Sequence, residues 1–121
     1  MSTEELVKGI LQLAEESAAL TAVARDKNLS FDVLQGATFT ISSLGGIGGT
    51  AFAPIVNAPE VAILGFSRTK VVPVFDGDSF VPRTLLPFSL SYDHRAIDGA
   101  AAARFTTCLA SILSDLRKII L

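Results

Sequence analysis

A single histidine sets the chemistry open to this chain of 121 residues. His94 lies in the stretch PFSLSYDHRAIDG, residues 87–99. Imidazole titrates near neutrality, so a positioned histidine takes a proton from a thiol or hydroxyl and later returns it. From His94 to Gly99 the residues read H-x-x-x-D-G, with Asp98 as the nearby carboxylate. Ser42 supplies a hydroxyl at the end of TFTIS. A Ser-His-Asp hydrolase would draw on Ser42, His94 and an aspartate, yet no G-x-S-x-G elbow surrounds Ser42. The plain alternative for a lone histidine is a hydrogen-bonded structural role. One histidine, one cysteine and dispersed carboxylates do not make an ordinary metal cluster, so no metal is expected. Cys108 reads as a small apolar core residue of the last helix rather than a nucleophile.

The glycine-rich stretch after Ser42 admits another chemistry, since Gly46, Gly48 and Ala51 fit the relaxed dinucleotide pattern G-x-G-x-x-A. That pattern needs a helix at once, and Pro54 falls early in it. No Lys-Ser or Lys-Thr follows the glycines, so a phosphate loop of the Walker type is excluded. The glycines are read instead as points where the backbone turns sharply and packs closely.

Positioning these groups requires a strand before His94 and a helix after it. Phe88, Leu90 and Tyr92 alternate with Ser89, Ser91 and Asp93, the period of a half-buried strand over 85–92. Asp98 is the expected N-cap of a helix from Gly99 with apolar residues at Phe105, Cys108, Leu109, Ile112, Leu113 and Leu116. Earlier, Ser2 and Glu5 have capping-box spacing before a helix reaching residues 18–24. Ser30 is the expected cap of a short second helix, with Leu29 and Leu34 as its staple and Gly36 as its stop. Residues 37–44 form a strand with Phe39 and Ile41 on one face and Thr38, Thr40 and Ser42 on the other. Residues 61–66 read as a buried strand, and 71–75 with 80–81 as a hairpin around Asp76, Gly77, Asp78 and Ser79.

Composition narrows the partners. Half of the residues are hydrophobic, and the mean hydropathy is +0.50. A single small domain leaves part of such a complement uncovered, which points to an oligomer interface or a missing part of the domain. A net charge of −2 with no basic run gives no footing for nucleic acid or an anionic membrane. One cysteine fits a reducing compartment. The acidic start, MSTEELVKG, is neither a secretory signal nor a basic transit peptide. No apolar run reaches membrane-spanning length, and a soluble protein is expected.

Three stretches together carry a family resemblance: GATFTISSLGGIGG at 36–49, FAPIVNAPEVAILGFSR at 52–68 and LPFSLSYDHRAIDGAAAARF at 86–105. The chain resembles the catalytic domain of the dihydrolipoyl acyltransferase (E2) component of 2-oxo acid dehydrogenase complexes, most of all the pyruvate dehydrogenase type. The resemblance implies the α/β fold of chloramphenicol acetyltransferase, represented by about its C-terminal half. It aligns Met1 near the middle of the family's catalytic domain, so residues 1–121 are expected to be one truncated domain lacking the lipoyl and peripheral-subunit-binding domains.

The implied activity is transfer of an acyl group, expected to be acetyl, between coenzyme A and a dihydrolipoyl thiol, both as substrates. The family's general base maps to His94 and its oxyanion-supporting hydroxyl to Ser42, and Asp98 takes a positioning role. The family also implies a homotrimer or a multiple of three, with histidine and hydroxyl contributed by different subunits. Its E1 and E3 partners would bind through regions outside this chain. Location is expected in the bacterial cytoplasm, or in the mitochondrial matrix of a eukaryote. A noncatalytic assembly fragment and a chloramphenicol acetyltransferase-like enzyme are the alternatives.

Overall fold

The structure, a computed structural model, describes residues 8–26, 30, 35–115 and 117–120. The capping box at Ser2 and Glu5 and the short helix after Ser30 lie outside the described residues, as does Leu116. The chain divides into two compact units, 1–38 and 39–121.

The first unit holds α1, Ile10–Arg25. Lys8 and Gly9 precede it in non-helical conformation, so the helix does not continue from Ser2 through these residues. Gly9 at its N-cap offers no side chain to satisfy the first amides, and glycine inside a helix costs about 1 kcal/mol against alanine. Lys8 reaches Glu16 at 2.6 Å, and Thr21 donates to the Ser17 carbonyl at 2.7 Å. The helix stops at Asp26, just past the expected reach of residues 18–24.

The second unit is built on a three-stranded sheet of order β1-β2-β5, with β1 at Thr40–Ser43, β2 at Ala62–Phe66 and β5 at Phe88–Tyr92. The central β2 runs parallel to β1 and antiparallel to β5. It is the buried strand the apolar run predicts: Ala62, Ile63 and Leu64 are buried, and Ala102 of the last long helix joins them in a small core. Gly65 in β2 is required by packing. A Cβ there would stand 2.7 Å from the tip of the Phe52 ring, too close for any carbon pair. Glycine thus lets the 44–61 loop bring the tip of the Phe52 ring against the sheet, and Ser89 fixes that loop by donating to the Phe52 carbonyl at 2.6 Å.

A separate two-stranded sheet pairs β3, Lys70–Phe75, with β4, Phe80–Leu85, and Pro73 stands directly opposite Pro82. Its turn is the expected one, with Asp76 Oδ1 accepting from the Asp78 and Ser79 amides at 3.1 and 3.0 Å. Those two bonds hold the Asp76 carboxyl below its usual range. The strand expected over 85–92 is divided: β4 extends to Leu85, Leu86 and Pro87 break the ladder, and β5 begins at Phe88. Proline has no amide to donate, and Pro87 instead accepts from Ser67 through its carbonyl at 3.0 Å.

The last long helix, α2 at Gly99–Leu113, is followed by a short turn of helix, α3, at Arg117–Ile120. Its inward line is Ala102, Thr106, Leu109 and Ile112. Cys108 is exposed, which corrects the expectation of a core residue. One residue before Leu109, it is turned about 100° away from the inward line. Phe105 and Leu113 are each 43% exposed, and Ile55 of the long loop 90%. The apolar surplus expected from composition is thus carried at the surface of this unit.

Candidate active site

His94 is held by a turn knitted on both sides. The β5 ladder is extended one step by Asp93, whose amide donates to the Val61 carbonyl at 2.8 Å. The Asp93 carbonyl then accepts from Ala96 and Ile97, both at 3.0 Å, closing a turn with His94 and Arg95 at its tip. The Asp93 carboxylate accepts from the Arg95 amide at 2.9 Å and from the Arg95 guanidinium at 2.9, 3.0 and 2.6 Å. These hydrogen bonds, the side-chain ones foremost, lower the Asp93 pKa to about 2. The pair's reward is a fixed backbone at His94 more than net stability, since exposed ion pairs contribute little.

The imidazole of His94 is exposed, with its ring 5.7 Å from that of Tyr92 and tilted by 39°. Four residues on, Asp98 caps α2 as its position predicts, and its Oδ1 accepts from the Ala101 amide at 2.7 Å. The carboxylate is therefore engaged with the helix end, and it orients the element that follows the histidine turn. Asn would cap equally well, since both side chains present the same acceptor oxygen.

Ser42 stands elsewhere. It is half-buried on β1, in register with Gly65 of β2, which in turn pairs with Ser89 of β5. Ser42, Gly65 and Ser89 form one row across the sheet, with the Phe52 ring filling the space at Gly65. Tyr92 lies three residues further along β5, about 10 Å at the usual strand rise, and β1 is two strand spacings, about 9.5 Å, from β5. The Ser42 Cα is thus about 14 Å from that of Tyr92, and His94 lies two residues beyond the end of the strand. Serine and histidine side chains do not bridge that gap. Within one chain the structure joins His94 to the Asp98 cap by a short turn and keeps Ser42 apart.

The Asp93–Arg95 brace, the Tyr92 ring and the Phe52 cover were not singled out from sequence. An aspartate two residues before a residue whose amide it accepts is an Asx-turn signature, so D-H-R carried the signal for the first. Nothing in the sequence marks Phe52 as the ring that meets Gly65. Among the described residues no group of three His, Cys, Asp or Glu side chains is placed to hold a metal, and no helix is long and apolar enough to cross a membrane.

Residues 6–121 match the model of the 2-oxoacid dehydrogenases acyltransferase (catalytic domain) family. The chain belongs to this family. The chain is 64% identical over 114 residues to the dihydrolipoyllysine-residue acetyltransferase component of the pyruvate dehydrogenase complex of Azotobacter vinelandii, covering 94% of the chain and 18% of that relative. Its fold superposes with a TM-score of 0.89, at 64% identity, on the solved dihydrolipoamide acetyltransferase (E2p) of the same organism, over 95% of the chain and 47% of the solved one. That structure comes from a study of the role of a serine, a histidine and an asparagine in the catalytic mechanism, the histidine 52 residues after the serine and the asparagine four further on. The solved cubic core of the pyruvate dehydrogenase multienzyme complex matches equally well, with a TM-score of 0.89, 63% identity and coverage of 95% and 47%. The fold is the α/β acyltransferase fold expected from the sequence. The chain spans about a fifth of the curated relative and about half of the solved catalytic chains.

Proposed function

We propose that this chain is the C-terminal half of an E2 catalytic domain and takes part in acetyl transfer between coenzyme A and a dihydrolipoyl thiol. The observation that carries the reading is an identity of intervals. Ser42, His94 and Asp98 are separated by the same 52 and four residues as the serine, histidine and asparagine of the Azotobacter enzyme. Aspartate in place of that asparagine keeps the cap on α2, so the replacement preserves the positioning role assigned to this residue.

In this mechanism His94 takes the proton of the attacking thiol as the thiol sulfur adds to the thioester carbonyl. The oxygen of that carbonyl becomes an alkoxide in the tetrahedral intermediate, and the Ser42 hydroxyl donates to it. Collapse expels the other thiol, which recovers the proton from His94. No acyl group is passed to the protein. The separation of Ser42 from His94 along the sheet favours a site shared between two subunits, with His94 of one facing Ser42 of the next in a trimer or a multiple of three. The cubic core formed by a relative at 63% identity supports such assembly. Its relatives' bacterial origin supports a cytoplasmic reaction, with E1 and E3 components engaged through segments of the longer protein.

Thioester exchange between acetyl coenzyme A and free dihydrolipoamide tests the reading. His94→Ala should lower turnover by at least about a hundredfold, the scale of a lost general base, with circular dichroism unchanged because the imidazole is exposed. Unchanged turnover at saturating substrates removes His94 from the mechanism.

A further inference from the structure

The six residues from His94 to Gly99 close around one side chain that the mechanism does not use. Tyr92 is the last residue of β5, in register with the buried Ala62 of β2. The next step of the ladder, the Asp93 amide on the Val61 carbonyl at 2.8 Å, holds its backbone from the other side. Two torsions then place the phenol ring, so a fixed backbone leaves it few positions. The ring lies 5.7 Å from that of His94, and its hydroxyl 3.8 Å from where a Cβ on Gly99 would stand. Tyr92 thus has its ring beside the first residue of H-x-x-x-D-G and its hydroxyl beside the last.

Three observations make this ring the anchor of the histidine. The Asp93–Arg95 pair fixes the backbone of the turn, but among the described residues no hydrogen bond or ion pair reaches the exposed imidazole itself. What remains is the aromatic contact, and pairs of rings at this separation favour one arrangement over others by about two- to tenfold. Secondly, among the described residues the Tyr92 hydroxyl makes no hydrogen bond, so the ring is what this side chain contributes. Thirdly, Ser42, Gly65 and Ser89 share one face of the sheet, and Tyr92, three residues beyond Ser89, projects from the other. The ring serves the histidine without entering the Ser42 side.

We propose that Tyr92 is a positioning residue: its ring, set between the imidazole and the start of α2, selects the His94 conformer that takes the thiol proton. The proposal rests on the acyl-transfer reading for the proton's source, while the placement of the imidazole stands on geometry alone. A base held in place for a smaller fraction of the time lowers turnover by that fraction and leaves substrate binding alone.

The chain has one tyrosine and one histidine, so their ring protons can be followed without ambiguity by proton NMR of the full chain. The wild type should show a Tyr92–His94 cross-relaxation peak and a ring-current displacement of the imidazole protons from their positions in urea. Tyr92→Leu should abolish the displacement and lower kcat in thioester exchange about fivefold, with both Michaelis constants within about twofold. Tyr92→Phe, which keeps the ring, should recover the displacement and bring kcat back to within about twofold of wild type. A loss of fold would raise neither signal selectively, and urea denaturation of each variant separates it from a loss of position. Absence of the cross-peak in the wild type, unchanged kcat in Tyr92→Leu, or equal losses in Tyr92→Leu and Tyr92→Phe overturns the proposal. An intact ring contact in a wild type without thioester exchange overturns the acyl-transfer reading and leaves the placement of the imidazole by Tyr92 standing.

Discussion

Equimolar mixing of wild-type subunits with the Ser42→Ala/His94→Ala double variant separates a site shared between chains from one built within a chain. The separation of about 14 Å between the Ser42 level of β1 and Tyr92, with His94 beyond it, exceeds the hydrogen-bond reach that a base and an oxyanion donor need around one reacting carbon. A site that draws its histidine from one subunit and its serine from the next is intact only when both neighbours are wild type. After random exchange, through unfolding and refolding together, about one quarter of sites meet that condition. Sites confined to one chain would retain about half. The complementary mixture, Ser42→Ala with His94→Ala, should rise to about a quarter of wild-type activity, since its good histidine and good serine meet at that frequency. If sites were confined to one chain, it would stay at the mean of its parents, about one-twentieth or less given the losses expected for each. Thioester exchange per total subunit reads both numbers. Half activity in the first mixture together with no recovery in the second refutes the shared site.

Ser42→Ala alone should lower turnover by about ten- to a thousandfold with both Michaelis constants nearly unchanged, the mark of a bond made mainly in the transition state. A raised Michaelis constant at constant turnover makes Ser42 a binding residue instead. Asp98→Ala should cost about 1 kcal/mol in thermal or urea denaturation through loss of the Ala101 bond, and Asp98→Asn should restore it; equal losses in both refute the capping role. Because the Asp93 carboxyl is depressed to about 2, its ion pair contributes fully above the ordinary aspartate range and is lost as pH falls through about 2. Carbon-detected titration of Asp93 in Arg95→Gln should move its midpoint back toward the ordinary aspartate value of 3.8, and an unmoved midpoint would show that the guanidinium is not the cause.

What the sequence made legible was local. Asp98 announced the cap of α2 because a cap needs only the next three residues, and residues 61–66 announced β2 because a strand buried on both faces reads as an unbroken apolar run. The hairpin was legible in its turn chemistry at Asp76 and Ser79. The reading of one strand over 85–92 failed at Pro87, where periodicity continued across a break in pairing that only the missing amide reveals. Cys108 was misplaced because an apolar stripe says which residues are apolar, while the packing of α2 decides which arc of it turns inward. The spacing of Ser42 and His94 in the chain was visible throughout, but their distance in space depends on strand order β1-β2-β5, a non-local fact.

The pairing of Pro73 with Pro82 bears on how the β3–β4 ribbon meets other chains. Two prolines cannot exchange amide hydrogen bonds, so theirs is a non-hydrogen-bonded pair, in which the backbone positions of both residues point away from the ribbon. The middle donor is therefore missing from each of the two open margins. A two-stranded ribbon carrying Val71, Phe75 and Phe80 at its surface would otherwise be a ready template for strand addition and fibre growth. With one proline interrupting each margin, extension by further strands is denied on both sides at once. The ribbon is left to associate through its side chains, a mode in which shape and not backbone repetition chooses the neighbour.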